Sequence, residues 1–206
     1  MNLRHHRTHQ IAQREGASFW AGCGAVRLAA FRACGGFDAK RYPRPMIEDI
    51  ELGMRLRALG PTRLDPGLHV THLKRWTLRS TVETDVLQRA LPWSRLIVER
   101  GGMPDDLNLR FSQRIAALVA GPALLSIPAI PLLLWLAPPW AAVPAAVVLV
   151  SLALNFDLVA FFARRRGIAF AAAGWAFHQV HLVYSAATYA WVAATHMLRK
   201  PKAVGG

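Results

Sequence analysis

Read for hydrophobic and polar positions alone, the chain falls into two unlike stretches. Up to residue 114 apolar residues come in short runs broken by charge. Beyond it they are nearly continuous. Four patterns in the first stretch predict elements. Residues 16–31, GASFWAGCGAVRLAAF, alternate Phe19, Ala21, Cys23 and Ala25, which predicts a short buried strand feeding a helix. From about Ile47 to Leu59 a 3.6-residue period sets Leu52, Leu56 and Leu59 on one face beside Gly53, and Gly60-Pro61 is a stop signal. Residues 62–76 read as strand, turn, strand. Leu68, Val70 and His72 alternate with His69 and Thr71, and Asp65-Pro66-Gly67 is turn chemistry. Residues 77–100 read as helix, with Val82, Val86, Leu87, Ala90 and Leu91 ahead of Pro92-Trp93. Residues 32–45 read as a loop, opened by the conformational freedom of Gly35-Gly36, and residues 101–114 as a loop and a short amphipathic lead-in.

The second stretch has the pattern of membrane helices. Ile115 to Ala137 is uncharged and long enough to cross roughly 30 Å of hydrocarbon. Trp140 to Ala163 reads as a second span, interrupted by Asn155 and Asp157, with Pro138-Pro139 as a tight connection. Pro122, Pro128 and Pro131 would kink the first span, as membrane helices tolerate. Arg110 and Arg114 precede the pair and Arg164, Arg165 and Arg166 follow it, so the positive-inside rule predicts a hairpin with both ends cytoplasmic. Ile168 to Leu198 is softer and carries His178, Gln179 and His181. It reads as an interfacial helix or a third span. The uncharged run from His181 to Leu198 weighs toward the span, and the trailing Arg199-Lys200 against it.

Charge sharpens this division. The formal net charge is +13. The first 114 residues hold nineteen basic and eleven acidic side chains, and the remainder six basic and one acidic. A basic balance joined to long apolar runs favours anionic lipid or phosphorylated small molecules as partners. Nucleic acid is excluded as a partner, because the charges are not organised with base-stacking aromatics. The two cysteines, Cys23 and Cys34, make no disulfide framework and fit no zinc spacing, and His5, His6 and His9 read as a polar tail. Met1 to Glu15 is polar and basic, unlike a secretory signal.

The candidate chemistry centres on Glu48-Asp49. Acids in a first helical turn complement the helix dipole, and that alone accounts for most such pairs. Here Asp49 projects close to the leucine face and Glu48 near its edge, so both carboxylates lean inward, where charges need partners. Around them the chain carries, in order, Gly35-Gly36-Phe37-Asp38, Glu48-Asp49, His72-Leu73-Lys74-Arg75-Trp76 and Pro92-Trp93. This order resembles the acceptor-side half of family 2 glycosyltransferases, the processive and lipid-linked enzymes of GT-A fold. In that family a GGFD-like loop precedes an acidic pair at a helix start, a basic-aromatic motif follows, and membrane helices come after. The motifs cover about residues 16–114.

The resemblance implies an α/β fragment, the C-terminal half of a GT-A fold, over residues 1–114. Transmembrane helices follow over 115–206, two or three in number. It implies inverting transfer of a sugar from a nucleotide-sugar donor to a lipid or glycan acceptor, at the cytoplasmic face of the cell (inner) membrane, in a multi-pass protein. Asp49 is then the base that takes the acceptor hydroxyl's proton, and Glu48 its neighbour or an acceptor contact. Lys74 and Arg75 offer charge for the leaving diphosphate. Trp76 offers a flat wall for a sugar ring or lipid head, or packs as an ordinary core tryptophan. His72 contacts phosphate or completes a divalent-metal site, or is a strand histidine bonded locally; His69 has the local reading alone. Asp38 binds acceptor hydroxyls or braces its own loop. Asn155 and Asp157 are functional if buried in a membrane, and Asp157 is as well explained by pairing with Arg164 to Arg166.

The sequence departs from the family in one large respect. The family's nucleotide-binding half, with its metal-binding D-x-D, is expected N-terminal to residue 16, and Met1 to Glu15 contains no aspartate. The expected Mg²⁺ or Mn²⁺ would be held mainly by that missing half. The chain then reads as a fragment, a truncated gene model or part of a split enzyme. The alternative is a non-catalytic membrane module that docks on a complete transferase.

Overall fold

The computed structural model describes residues 2–11, 19–65, 67–68, 70–71, 73, 75–102 and 110–199. Nine α-helices follow one another among them: α1 (Asn2–Ile11), α2 (Leu28–Ala33), α3 (Glu48–Leu59), α4 (Leu78–Glu83), α5 (Leu91–Arg100), α6 (Phe111–Leu136), α7 (Ala142–Leu154), α8 (Phe156–Arg166) and α9 (Ile168–Arg199). A π-helical segment, Thr84–Ala90, joins α4 to α5. The chain divides into two compact units, Asn108–Ala187 and the remainder, Met1–Leu107 with Thr188–Gly206.

The expected α/β architecture is not there. Among the described residues no strand forms beyond an isolated bridge residue at Arg63, and the protein is helical. Where residues 16–31 predict a strand, Ala21–Cys23 is a single 3₁₀ turn and α2 starts at Leu28. Residues 21–29 are mostly exposed, so the alternation of small apolar residues buries nothing. Of the expected strand, turn, strand at 62–76, the turn survives. Asp65 accepts the Gly67 N–H on Oδ1 (2.9 Å) and the Leu68 N–H on its carbonyl (3.2 Å). Leu68, Val70 and Leu73 face outward, Leu73 with 88 % of its surface exposed. A short two-stranded ribbon is marginal without a third strand or a helix to cover it, and no layer covers this one.

Helical expectations fare better. α3 begins at Glu48 and ends at Gly60, whose N–H bonds the Leu56 carbonyl (3.1 Å). Leu52 and Leu56 are buried as the period predicts, while Leu59 is exposed. Residues 78–100 are helical throughout. Thr77 and Ser80 form a reciprocal cap at the start, with Thr77 Oγ1 accepting the Ser80 N–H (3.1 Å) and Ser80 Oγ the Thr77 N–H (3.0 Å). Tyr42, Ile47 and Leu96 form a buried cluster, against which Met46, Ile50, Met54 and Trp93 pack.

In the unit Asn108–Ala187, α6 spans 26 residues, about 39 Å at the α-helical rise. It is the one described helix that is by itself long and apolar enough to cross a membrane. Of its most apolar window 17 % is buried, too little for the core helix of a soluble protein. Pro138–Ala141 turns the chain back, and α7 packs along α6. The second predicted span is not continuous. At Asn155 the chain bends by 78° between Pro138–Leu154 and α8, so one described helix is long and apolar enough to cross a membrane, or two if the bent pair is counted as one. Asn155 leaves helical geometry (φ −114°, ψ 17°) and its Nδ2 donates to the Ser151 carbonyl (2.8 Å), capping α7.

The third span fails on composition and on direction. α9 is one continuous helix of 32 residues, yet it does not reach the apolarity of a span. Trp175 and Gln179 of α9 meet Ser151 of α7, and Leu182 meets Ala116 and Ala120 of α6. Seven residues advance a helix by about 10.5 Å, close to the spacing of two packed helices. α9 therefore packs on both α7 and α6 near the hairpin's arginine-flanked end.

Candidate functional site

The acidic start of α3 is held from both sides. Asp49 is half-buried. Its Oδ2 accepts the Ala21 N–H (3.2 Å), 28 residues back in the chain, and its Oδ1 accepts the Ile50 N–H (2.8 Å). Burial pushes the Asp49 carboxyl above the usual aspartate range. The Glu48 charge acts in the same direction, and the N–H bonds oppose both without cancelling them. Glu48 Oε2 accepts the Met46 N–H (2.6 Å).

The Gly35-Gly36-Phe37-Asp38 loop is bound to the same helix. Gly35 (φ 82°) and Gly36 (φ 67°) lie in the left-handed region, and a Cβ on Gly36 would stand 3.1 Å from the Phe31 ring, so glycine is required there. From α3, Arg55 donates Nη2 to the Gly36 carbonyl (2.7 Å) and Nη1 to the Cys34 carbonyl. The same guanidinium grips Glu51, which is 6 % exposed, and Arg100 Nη2 reaches Glu51 Oε1 from α5 (3.3 Å). Arg41 pairs with Glu99 and so ties the loop's far end to α5. Asp38 is exposed and accepts the Arg41 N–H on Oδ1 (3.0 Å). Of its two readings, the loop brace has a visible partner.

Of the basic-aromatic motif, Leu73, Arg75 and Trp76 are described. His72 and Lys74 lie outside the described residues. Arg75 is exposed and is not among the partners of Asp49, which are Ala21, Ile50 and the neighbouring Glu48 charge. Trp76 is half-buried with the Arg89 guanidinium over its ring (5.7 Å), and Arg89 is held by Asp85 (2.9 Å), whose side chain is 2 % exposed. Asp85 and Arg89 both lie in the π-helical segment, a local geometry that recurs at functional sites.

Sequence reasoning missed Glu51, Arg55, Asp85, Arg89 and Tyr42. The four-residue spacing of Glu51-Arg55 and Asp85-Arg89 was a visible signal; nothing in the pattern marked Tyr42 as buried. The Tyr42 hydroxyl and Trp93 Nε1, both in the cluster behind α3, are buried without a hydrogen-bond partner among the described residues. Burial also raises the Tyr42 pKa and keeps its phenol protonated.

A divalent cation does not fit the described residues. No three His, Cys, Asp or Glu side chains gather among them, and Glu51 is already saturated by two guanidinium groups. Comparison with protein families, curated proteins and solved structures yields no match to this chain.

Proposed function

We propose that the chain is the membrane-anchored, acceptor-side portion of a sugar-transferring enzyme of the family 2 glycosyltransferase kind. The observation that carries the proposal is the single rigid piece made by α3 and the Gly35–Asp38 loop. Two motifs separated in sequence are clamped together by Arg55, with the raised Asp49 carboxyl at the helix start. A carboxyl lifted above its usual range by burial is better matched to accepting a hydroxyl proton near neutral pH. In this reading Asp49 takes the proton of the acceptor hydroxyl as that oxygen attacks the anomeric carbon, and the nucleoside diphosphate departs with the bonding electron pair. α6 and the α7–α8 pair anchor the chain in the inner membrane, with the arginine-flanked end cytoplasmic. The acceptor is then a lipid or a glycan near the bilayer.

The test is transfer from labelled nucleoside-diphosphate sugars to membrane lipid. It uses membranes carrying the chain with any coding sequence in frame before Met1, and compares wild type with Asp49→Asn. Loss of turnover by about 10²–10⁴-fold at unchanged protein level supports the assignment. Wild-type turnover in Asp49→Asn removes it.

One observation favours a second reading, a non-catalytic module docking on a complete transferase. Both carboxylates are already engaged by backbone N–H groups of their own chain. If sugar transfer in such membranes needs the chain but not the Asp49 carboxylate, this reading stands.

A further inference from the structure

The corner between α8 and α9 has a composition and a position that the sugar-transfer reading leaves unexplained. Arg164, Arg165 and Arg166 occupy the last turn of α8 and are all exposed. No carboxylate pairs with them among the described residues, and Asp157 is the one acid in the whole unit Asn108–Ala187, against five arginines. Ile168 (77 %) and Phe170 (43 %), just past the arginines, and Phe156 (68 %), at the other end of α8, are exposed. Arginines and uncovered large apolar side chains along α8 and the start of α9 are the composition of a surface that sits at a lipid headgroup layer.

The corner is rigid, so this is not a loose basic tail. Gly167 takes φ 85° to make the turn. Phe162 inserts where Gly174 leaves room, since a Cβ there would stand 2.7 Å from the Phe162 ring, and it meets Phe170 edge-on at 5.6 Å. The Arg165 guanidinium lies over the Phe161 ring at 5.6 Å. Behind the corner, Ser151, Asn155, Trp175, His178 and Gln179 join α7 to α9 by hydrogen bonds: Ser151 Oγ to Gln179 Oε1 (3.0 Å), Trp175 Nε1 to Ser151 Oγ (3.2 Å) and His178 Nε2 with Asn155 Oδ1 (3.1 Å).

The placement follows from the bend. If α6 and Pro138–Leu154, seventeen residues or about 25 Å, stand along the bilayer normal as a span or a re-entrant limb, a 78° turn at Asn155 lays α8 close to the membrane plane. The chain enters α6 past Arg110 and Arg114 and leaves α7 into α8, so all five arginines lie at the same end of the hairpin. We propose that the α8–α9 corner is a docking surface for anionic phospholipid headgroups, with Arg164, Arg165 and Arg166 as the phosphate-binding groups and Phe156, Ile168 and Phe170 set into the interface. The proposal rests on the membrane reading of α6–α7 and is independent of any sugar chemistry. Guanidinium groups bind phosphate oxygens through paired N–H donors, and each basic residue near an anionic surface adds on the order of a five-fold preference. Three together add on the order of a hundredfold.

The test uses the full chain in lipid nanodiscs, either wholly phosphatidylcholine or about one-third phosphatidylglycerol, with amide hydrogen exchange read over residues 156–170. Phosphatidylglycerol slows exchange there by about tenfold or more in the wild type, and about 0.5 M salt reverses the slowing. The variant with Arg164→Gln, Arg165→Gln and Arg166→Gln loses the effect, and the variant with lysine at all three positions keeps most of it. Equal exchange in the two lipids, or an effect that survives the glutamine substitutions, overturns the proposal while leaving the membrane reading intact. Slowing by an added oligonucleotide in phosphatidylcholine discs, with none from phosphatidylglycerol, overturns it in favour of nucleic acid. A chain that does not enter nanodiscs defeats the membrane reading, and this proposal with it.

Discussion

Glu51 and Arg55 lie one turn apart on α3 and meet through two guanidinium nitrogens. Arg55 Nε stands 2.9 and 3.0 Å from the two carboxylate oxygens, and Nη2 stands 2.7 Å from Oε2. Because the guanidinium also donates to the carbonyls of Cys34 and Gly36, one side chain settles both the burial of an acid and the position of a loop. Arg55→Ala therefore leaves Glu51 with Arg100 as its cationic partner and frees the loop. Breaking a fully buried pair costs about 3–5 kcal/mol, and the partial exposure of Arg55 lowers the expected loss to about 2–4 kcal/mol. Denaturant unfolding measures the loss, and faster amide exchange at Gly36 and Asp38 reports the freed loop.

Gly36 is the second lever on that loop. With φ at 67° and the Phe31 ring 3.1 Å from any added Cβ, Gly36→Ala combines backbone strain with a close contact. The expected cost is about 1–3 kcal/mol, the range for a non-glycine residue held in a sparsely populated region. A thermal melt indistinguishable from wild type would show that the loop relaxes freely.

The Asp49 carboxyl gives a pH signature of definite sign. Its folded pKa is raised by burial, so the folded state holds the proton more tightly than the unfolded chain. The cost of carrying the charge is present above the folded pKa and is relieved as pH falls through it. Stability differences between wild type and Asp49→Asn should accordingly shrink in acid. In a transfer assay the sign is opposite, because protonation removes the base. The rate of the wild type falls as pH falls, with a midpoint above that of an ordinary aspartate at about 3.9, and Asp49→Asn has no such limb.

Asn155 controls the direction of α8. Replacing it by leucine removes the cap on α7 and the bond to His178, and leaves an uninterrupted apolar helix as the better local solution. Spin labels at positions 143 and 165 would then separate toward about 33 Å, the length of a straight helix over that interval. Gln179→Leu breaks the bond to Ser151 but leaves the bend, at a cost of about 1 kcal/mol in lipid or detergent. A shorter distance that does not change in Asn155→Leu would assign the bend to packing by α9 instead.

Periodicity was a good guide wherever a helix carries its own hydrogen bonds. α3 was legible to within a residue and α6 at its far end, though α6 starts at Phe111, four residues before the uncharged run, because a 3.6-residue stripe and an apolar run each determine an element locally. The strands at 16–31 and 62–76 were not. A strand is defined by what pairs with it, and alternation as short as Leu68–Val70–His72 states a preference without supplying a partner. The break at Asn155 was marked in the sequence as a polar intrusion, though its consequence depends on where Ser151 and His178 sit. At the site, Glu48 and Asp49 were found by their inward lean. Glu51, one turn further on, was passed over because an acid paired with an arginine four residues away looks like a surface pair until its burial is known.

Between Arg114 and Asp157 the chain contains no charged residue, and the turn from α6 into α7 is built from Pro138, Pro139, Trp140 and Ala141. The tip of this hairpin, with Trp135 and Trp140 outermost at 80 % and 67 % exposure, can therefore pass through hydrocarbon without dragging an ion with it. If α6 and the segment after it enter a bilayer, no charged side chain between Arg114 and Asp157 opposes their passage.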